Sequence, residues 1–168
     1  MFASIRRSLG DTMASKTFNE KLKDSKDMPK IVVIENSRAI RTYGGTDMLI
    51  APPIFYDEIM DEVPRGKVIT AVDIREFLAK QYDADFTCPM TSGIFINLAA
   101  RASCERDHDR IPFWRTLKSN GELNPKYPGG IEYQKKMLEA EGLEIYCRGR
   151  KHFRYYVKNY ENNLYKLE

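Results

Sequence analysis

The chain has 168 residues, of which 42% are hydrophobic and 11% aromatic, so it can bury one ordinary core with extensions at either end. Its 27 lysines and arginines exceed its 24 aspartates and glutamates by 27 − 24 = 3, so net charge alone gives no indication of a nucleic-acid ligand. The absence of a long apolar segment argues against a membrane partner, and three widely spaced cysteines favour reduced thiols in a cytoplasmic protein over disulfides.

Residues 1–47 are predicted to form an N-terminal extension that is partly flexible. Apolar residues at helical spacing within residues 1–16 favour an amphipathic helix over an organellar presequence. Residues 15–30 are charged and nearly free of apolar side chains, which is typical of a linker or an exposed helix. The β-branched run of residues 31–34 then predicts a buried strand that ends in a turn.

A helix is predicted after the pair Pro52-Pro53, which ends a short apolar run. Apolar residues recur at helical spacing from Phe55 to Val63. The helix must end before Pro64, because the residue that precedes a proline disfavours helical geometry.

The next stretch has the pattern of a helix-turn-helix. Thr70 and Asp73 resemble a capping box that opens a helix over residues 71–81, and Pro89 suits the first position of a second helix. The expected buried face of the second helix consists of Phe95, Leu98, Ala99 and Ala102, and its opposite face of Gly93, Asn97 and Arg101. Such a pair, the second helix beginning with small and polar residues, is typical of helix-turn-helix proteins.

Three segments carry a family resemblance. They are Val63-Pro64-Arg65-Gly66-Lys67-Val68-Ile69-Thr70, then Ile111-Pro112-Phe113-Trp114-Arg115, and then Tyr127-Pro128-Gly129-Gly130 followed by Lys135, Leu138 and Glu141-Gly142. In order and spacing they resemble the DNA-binding domain of the methylated-DNA–protein cysteine methyltransferases, the alkylguanine-DNA alkyltransferases. The resemblance implies a mainly α winged helix-turn-helix domain with a small β wing over residues 48–145. Composition then marks residues 146–168 as a basic aromatic extension.

The catalytic motif of that family is altered in this chain. Members flip an alkylated guanine out of the duplex and transfer its alkyl group to a cysteine within a proline-cysteine-histidine-arginine motif. Phe113 and Trp114 stand at the cysteine and histidine positions, and the side chain of phenylalanine has no thiolate to be alkylated. Glu141 matches the glutamate that orients the histidine, and a structural role is expected for it. The chain therefore resembles the alkyltransferase-like proteins, which bind alkylated DNA without repairing it and recruit other repair proteins.

Two further positions depart from the family pattern. Gly93 replaces the arginine that the recognition helix inserts into the base stack, and Ala71 replaces a tyrosine before the first helix of the pair. Both substitutions weaken the prediction of base flipping, because extruding a base requires energy that such groups help to supply.

The resemblance and the helix pattern together nominate two groups of residues, with duplex DNA as the partner, alkylated DNA included, and with no cofactor or metal. The candidate DNA-binding residues are Thr70, Arg75, Thr91, Ser92, Gly93, Asn97 and Arg101. The candidate pocket residues are Phe113, Trp114, Arg115, Tyr127 and Glu141. Another interpretation is that the helix pair is only a packing unit with a solvated polar face.

Two other functions remain open at this point. The domain could be a protein-interaction or regulatory module whose pocket is plugged by Phe113 and Trp114. A closed pocket and an acidic recognition face would favour this function. It could also be a thiol enzyme that uses Cys88, since amides at a helix start stabilise a thiolate.

The C-terminal extension allows two compatible interpretations. Residues 146–158 interleave basic and aromatic side chains without an acid, which suits contact with phosphates and bases. The same alternation predicts an edge strand that buries Phe153, Tyr155 and Val157. Cys104 and His108 lie one helical turn apart, but no second pair accompanies them, so a metal site is not predicted.

Overall fold

A computed structural model of the chain describes residues 14–168. The apolar positions of the N-terminal amphipathic helix, Phe2, Ile5 and Leu9, lie outside the described residues. The described part contains six α-helices: α1 (Phe18–Lys23), α2 (Ser37–Tyr43), α3 (Pro53–Glu62), α4 (Ala71–Gln81), α5 (Pro89–Cys104) and α6 (Gly130–Ala140). Its strands are β1 (Lys30–Val33), β2 (Asp47–Ile50), β3 (Ile69–Thr70), β4 (Phe86–Thr87), β5 (Thr116–Leu117), β6 (Ile145–Arg148) and β7 (Arg154–Val157).

The strands form three small sheets. The first has the order β1-β2-β4, with β1 antiparallel and β4 parallel to β2. The second is the parallel pair β3-β5, which joins the start of α4 to the segment after Phe113–Arg115. The third is the antiparallel hairpin β6-β7 near the C-terminus. The architecture is thus mixed, with helices that outweigh the short strands.

The central helices agree with the sequence pattern. Helix α3 ends at Glu62, before Pro64. At the start of α4, the Thr70 side chain accepts from the Asp73 amide while the Asp73 carboxylate accepts from the Thr70 amide, which completes the expected capping box. Helix α5 begins with Pro89, whose missing N–H leaves no intrahelical bond unmade at that position.

Helix α5 lies at the centre of the larger core. It contacts α1, α3 and α4, and its fully buried positions are Ser92, Ile96, Ala99, Ala100, Ala102 and Ser103. The sequence analysis placed Phe95 and Leu98 on the buried face, but both are only partly buried. The small side chains allow neighbouring helices to approach α5 closely, so they occupy the centre and the larger ones lie at its margin.

Strand β1 is not the buried strand that its composition predicts. Ile31 is 46% exposed and Val33 is 67% exposed, because β1 is an edge strand with one face toward solvent. Beyond it, the chain forms α2, a short helix that the sequence analysis did not predict. The Asn36 side chain caps this helix by accepting from the amides of Arg38 and Ala39.

Helix α1 lies in the charged segment that the sequence analysis interpreted as a linker or an exposed helix. Its Leu22 is 1% exposed within the core, and Phe18 packs against the same cluster. The Glu105 carboxylate accepts from the amides of Phe18 and Asn19, both at 3.0 Å, so the end of α5 caps the start of α1. The segment is therefore a helix docked on the core.

Replacing Leu22 by alanine tests whether α1 contributes to the folded unit. We expect a loss of about 2 to 3 kcal/mol in the free energy of unfolding, since a buried leucine is truncated and α1 is short enough to relax into part of the space. Chemical denaturation measures this change. The matched control is Ile31→Ala at the exposed strand edge, and equal effects of the two substitutions would show that α1 is not docked in solution.

Packing also crosses the expected segment boundaries. The boundary after residue 47 falls within β2, which pairs with β1. At the other end, the Tyr165 amide donates to the Val68 carbonyl at 2.8 Å, and the Val68 amide donates to the carbonyl of Asn163 at 2.9 Å. Both extensions thus contact the region that carries the family motifs. Across residues 14–168, no helix is long and apolar enough to span a bilayer.

Candidate functional site

Phe113 belongs to the core. It begins the short 3₁₀ turn Phe113–Arg115 and is 3% exposed. Its ring lies 5.3 Å from that of Tyr127, 5.7 Å from that of Trp114 and 5.9 Å from that of Tyr133, measured between centroids. These distances are typical of packed aromatic rings, so Phe113 fills the core at this point and offers no surface to a ligand.

Glu141 joins the altered motif to the start of the first family segment. Its Oε1 accepts from Trp114 Nε1 at 2.9 Å and from the Arg115 guanidinium at 2.7 Å, and its Oε2 accepts from the Gly66 amide at 3.1 Å. Arg115 also donates to the Val63 carbonyl at 2.6 Å. The side chains of Arg115 and Glu141 are 14% and 5% exposed. Glu141 thus bonds residues of three separate segments, with the Trp114 indole as one of its hydrogen-bond donors.

The protonation of Glu141 reflects two opposing effects. Burial raises the pKa of its carboxyl, but the hydrogen bonds from Arg115, Trp114 and Gly66 lower it by more, and the net pKa lies below the ordinary glutamate value. The carboxylate is therefore charged at neutral pH and is matched by the Arg115 guanidinium.

The third family segment holds the other side of this cluster. Burial raises the pKa of Tyr127, whose hydroxyl stays protonated and donates to the Thr116 carbonyl at 2.9 Å. Gln134, fully buried on α6, donates to the Trp114 carbonyl at 3.0 Å. Gly129 has a φ of 81°, and a Cβ there would lie 2.6 Å from that of Tyr133. A glycine is thus needed where α6 begins.

An open groove lies between α5 and the segment that leads to Tyr127, with a volume of about 390 Å³. It is lined by Ala71, Met90, Gly93, Ile94, Ile96, Asn97, Leu117, Lys118, Asn124, Pro125, Lys126 and Tyr127. Ala71 and Gly93, the two positions that differ from the expected family pattern, therefore line the same groove, where these small residues leave space. Of the predicted pocket residues only Tyr127 lines this groove, because Phe113, Trp114, Arg115 and Glu141 are engaged in the packed cluster.

Thr70 and Ser92 must be removed from the predicted DNA-binding surface. Thr70 is 5% exposed, and its hydroxyl is used in the capping box of α4. Ser92 is fully buried, and its hydroxyl donates to the Cys88 carbonyl at 2.7 Å while it lies 2.7 Å from the Tyr56 hydroxyl. Neither hydroxyl can reach a phosphate, because each faces the interior and already has its partners.

The other predicted DNA-binding residues are spread over more than one surface. Gly93 and Asn97 line the groove, where Asn97 Oδ1 accepts from Asn124 Nδ2 at 3.0 Å. Arg75 lines a separate depression between α4 and the last residues of α2. Arg101 lies at the far end of α5, where its guanidinium is 5.7 Å from the centre of the Phe18 ring. Thr91 is half-buried, and its hydroxyl donates to the Cys88 carbonyl at 3.4 Å.

The exposed apolar residues of α5 were missed by the sequence analysis. Met90 is 75% exposed and Ile94 is 57% exposed, and both line the groove. Their i, i+4 spacing, continued at Asn97, was the signal that could have revealed one shared face. Two lysines, Lys118 and Lys126, lie on the opposite wall. None of the described residues that line the groove is acidic, and Lys118 is paired with Glu122 at 3.2 Å, so the groove is mainly apolar with Lys126 as its unpaired lysine.

The cysteines lie outside this groove. Cys88 is half-buried at the N-cap of α5. Cys104 is an exposed residue at the other end of that helix, and partial desolvation of its sulfur raises the pKa of the thiol. His108 is exposed in the loop that follows. Within residues 14–168, no three side chains of histidine, cysteine, aspartate or glutamate are grouped as metal ligands would be.

The described residues thus form a small mixed domain of helices and short sheets, with a groove beside its longest helix and a packed aromatic cluster around Phe113. Two solved structures are similar to it. One is S. pombe Atl1 in complex with damaged DNA containing O6-carboxymethylguanine, at 24% identity and a TM-score of 0.47, over 70% of this chain and 100% of that chain.

The other similar structure is that of S. pombe ATL in complex with DNA, at 22% identity and a TM-score of 0.48, over 68% of this chain and 94% of that chain. Both are alkyltransferase-like proteins, the group that the sequence motifs resemble. No family model matches the chain, and no curated protein matches it.

Proposed function

We propose that this protein is a non-catalytic, alkyltransferase-like DNA-binding protein of the winged-helix type that recognises alkylated guanine for repair. The observation that carries the proposal is the open groove beside α5, which lies next to the packed remnant of the transfer motif. Its lining combines the exposed apolar side chains of Met90 and Ile94 with Asn97 and two lysines, a combination suited to a base and the phosphates beside it. The protein would then mark a lesion in the cytoplasm for other repair proteins.

The absence of catalysis follows from the residues at the motif. Phe113 has no nucleophilic atom, and its ring is enclosed by three other aromatic rings. The indole of Trp114 donates its only N–H to Glu141 and has no basic nitrogen to accept a proton. Alkyl transfer at this position would need a thiolate and a base, and neither group is supplied by these side chains.

The approach of DNA is guided by the first turns of α5. This part of the helix carries no acidic residue, and its backbone amides present the positive end of the helix dipole to an anion. Met90 and Ile94 project into solvent beside the groove. Exposed apolar side chains of this kind insert between base steps in many minor-groove complexes, which supports contact with a locally opened duplex.

Mobility-shift titrations with duplexes that contain or lack an alkylguanine, at two salt concentrations, test the proposal. We expect tighter binding to the alkylated duplex, and weaker binding of both duplexes at higher salt because phosphate contacts release counterions. Equal affinity for the two duplexes would remove lesion recognition from the proposal. A lack of binding to either duplex at low salt would overturn it.

Gly93→Phe tests whether the groove holds the base. A Cβ at Gly93 has no atom within 4 Å, so a larger side chain enters the groove without disturbing the core. We expect the preference for the alkylated duplex to fall by about tenfold, a difference of about 1.4 kcal/mol, because the ring occupies the space of the base. The control is Gly93→Ala, which should stabilise α5 by about 1 kcal/mol and keep the preference. An unchanged preference in the phenylalanine variant would exclude the groove as the base site.

A second candidate function, a protein-interaction module, is favoured by the exposure of Met90 and Ile94. Apolar residues that project from a helix beside a groove can anchor a partner protein. A closed pocket and an acidic face would have favoured this function. The groove is instead open, and none of the residues that line it is acidic. Failure of DNA binding in the mobility-shift titrations would leave this function as the better explanation of the apolar face.

A further inference from the structure

The hairpin β6-β7 carries a concentration of positive charge that the groove does not use. Residues 145–160 contain no aspartate or glutamate. Their basic residues are Arg148, Arg150, Lys151, Arg154 and Lys158, together with His152. In a chain whose net charge is only +3, this segment is a local basic surface with the opposite sign to a phosphate backbone.

The two faces of the hairpin have different surroundings. On the inner face, Val157 is 2% exposed, and Ile145 and Tyr155 pack against the smaller core cluster. This confirms the burial expected of Val157, whereas Tyr155 is only partly buried and Phe153 is 65% exposed in the turn that precedes β7. The prediction that Phe153 is buried was wrong, because the strand begins one residue later and leaves its ring at the tip.

The outer face combines aromatic rings with like charges. Tyr146 pairs with Tyr156 across the strands, and their rings are stacked at 5.4 Å between centroids. Arg148 stands opposite Arg154 on the same face. Like charges directly opposite in a sheet destabilise it, so this pair is not explained by the stability of the hairpin.

Most of these cations have no carboxylate near them. Within the described residues, Arg148, Arg150 and Lys151 form no ion pair. Arg154 is 3.9 Å from a Glu122 oxygen, but its side chain is 64% exposed. Lys158 is paired with Glu144. Three cations on and beside one turn are therefore free to bind an anion, and Arg154, with its long contact to Glu122, is exposed enough to join them.

The hairpin is joined to the wall of the groove. The Leu123 amide donates to the Tyr155 carbonyl at 2.8 Å, and Glu122 forms a β-bridge with Tyr156. The neighbouring residues Lys118 and Asn124 line the groove. The hairpin is thus held beside the groove through residues 118–124, within reach of a nucleic acid that occupies the groove.

We propose that the hairpin is a second DNA contact, in which Arg148, Arg150, Lys151 and Arg154 bind backbone phosphates beside the groove and Phe153 packs on a sugar or base. This inference rests on the DNA binding proposed above. The occupant is DNA because the free charges are all positive and lie beside exposed aromatic rings, a combination that suits phosphates and bases.

The salt dependence of binding by the full-length protein tests this inference. In the variant with Arg148, Arg150, Lys151 and Arg154 all changed to glutamine, we expect the slope of log affinity against log salt to fall by about 3 to 4, because each phosphate contact contributes about 0.9. The matched control changes Lys16, Lys23, Lys26 and Lys30 to glutamine, which removes the same charge near α1. Its slope should stay close to that of the unmodified protein.

Each result has a distinct meaning. A slope that falls equally in both variants, or in neither, would overturn the hairpin contact while leaving DNA binding in place. No binding by the unmodified protein would overturn the proposed function and the inference together. Phe153→Ala should weaken binding without changing the slope, and a larger effect of the fourfold hairpin variant on duplex RNA than on DNA would overturn the choice of DNA. Thermal melts of all variants verify that the fold is retained.

Discussion

Replacing Glu141 by glutamine is expected to lower the free energy of unfolding by about 3 kcal/mol at pH 7, since it breaks a buried ion pair and leaves Arg115 uncompensated. The two side chains are 14% and 5% exposed, and the carboxylate also accepts from Trp114 and Gly66. Glutamine has one acceptor oxygen in place of two and carries no charge. The substitution therefore removes the charge and part of the hydrogen bonding, while it conserves the volume.

The effect depends on pH in a defined direction. The pKa of Glu141 is lowered in the folded state, so its stabilisation is complete above the ordinary glutamate pKa of about 4.3 and is lost as pH falls through the folded-state pKa. The difference in stability between the native protein and Glu141→Gln should thus be constant near neutral pH and shrink in acid. Urea denaturation at a series of pH values measures it.

Glu139→Gln is the matched control for this experiment, because Glu139 lies on the exposed face of the same helix α6. Its effect should stay within about 0.5 kcal/mol at every pH, as for most surface substitutions. A difference between the native protein and Glu141→Gln that persists unchanged in acid would show that the charge of Glu141 does not stabilise the fold.

Phe113→Ala is expected to cost about 3 to 5 kcal/mol, because it removes a buried ring and leaves a cavity among packed neighbours. The ring is 3% exposed and touches the rings of Trp114, Tyr127 and Tyr133. The same change at Phe153, which is 65% exposed, should be nearly neutral for stability. Comparing the denaturation midpoints of the two variants shows the effect of the same substitution at a buried and at an exposed position. A neutral Phe113→Ala would mean that the aromatic cluster does not form.

Phe113→Cys separates the structural role from the chemical one. The variant introduces a thiol at this position, but the neighbouring indole of Trp114 has no basic nitrogen to accept its proton, and the site is closed. We expect it to be destabilised and to gain no alkyl group from methylated DNA, as judged by intact-mass spectrometry. A stoichiometric adduct on the introduced thiol would contradict the view that the motif has lost its whole catalytic arrangement. The same measurement on the native protein tests Cys88, where no adduct is expected.

The groove illustrates how far the sequence could be taken. Gly93, Asn97 and Tyr127 were nominated from helix spacing and the family resemblance, and all three line it. Ser92 was nominated as a polar residue near the start of α5, but its hydroxyl faces Tyr56 within the core. A period of 3.6 residues identifies the faces of a helix, and it does not determine how many of those faces the neighbouring elements cover.

The ends of the chain show the same limit. Leu22 lies in a segment whose charged composition resembles a linker, and it is nevertheless among the most deeply buried residues. Its burial arises because α5 presents both an apolar surface and the capping carboxylate of Glu105 to a distant segment. Composition over a short window cannot include such a contact, because the partner lies more than eighty residues away along the chain.

The sequence by itself determined the central helices, since their starts and ends depend on local chemistry: the Thr70–Asp73 capping box, and the prolines at positions 64 and 89. It also showed that Phe113 and Trp114 stand side by side in a segment that resembles the transfer motif of the alkyltransferases. Only the tertiary structure decided that Phe113 fills the core, that Glu141 bonds both Trp114 and Arg115, and that small residues from α4 and α5 meet in a groove. Those features depend on which distant surfaces touch, and burial, pairing and open space are properties of those contacts.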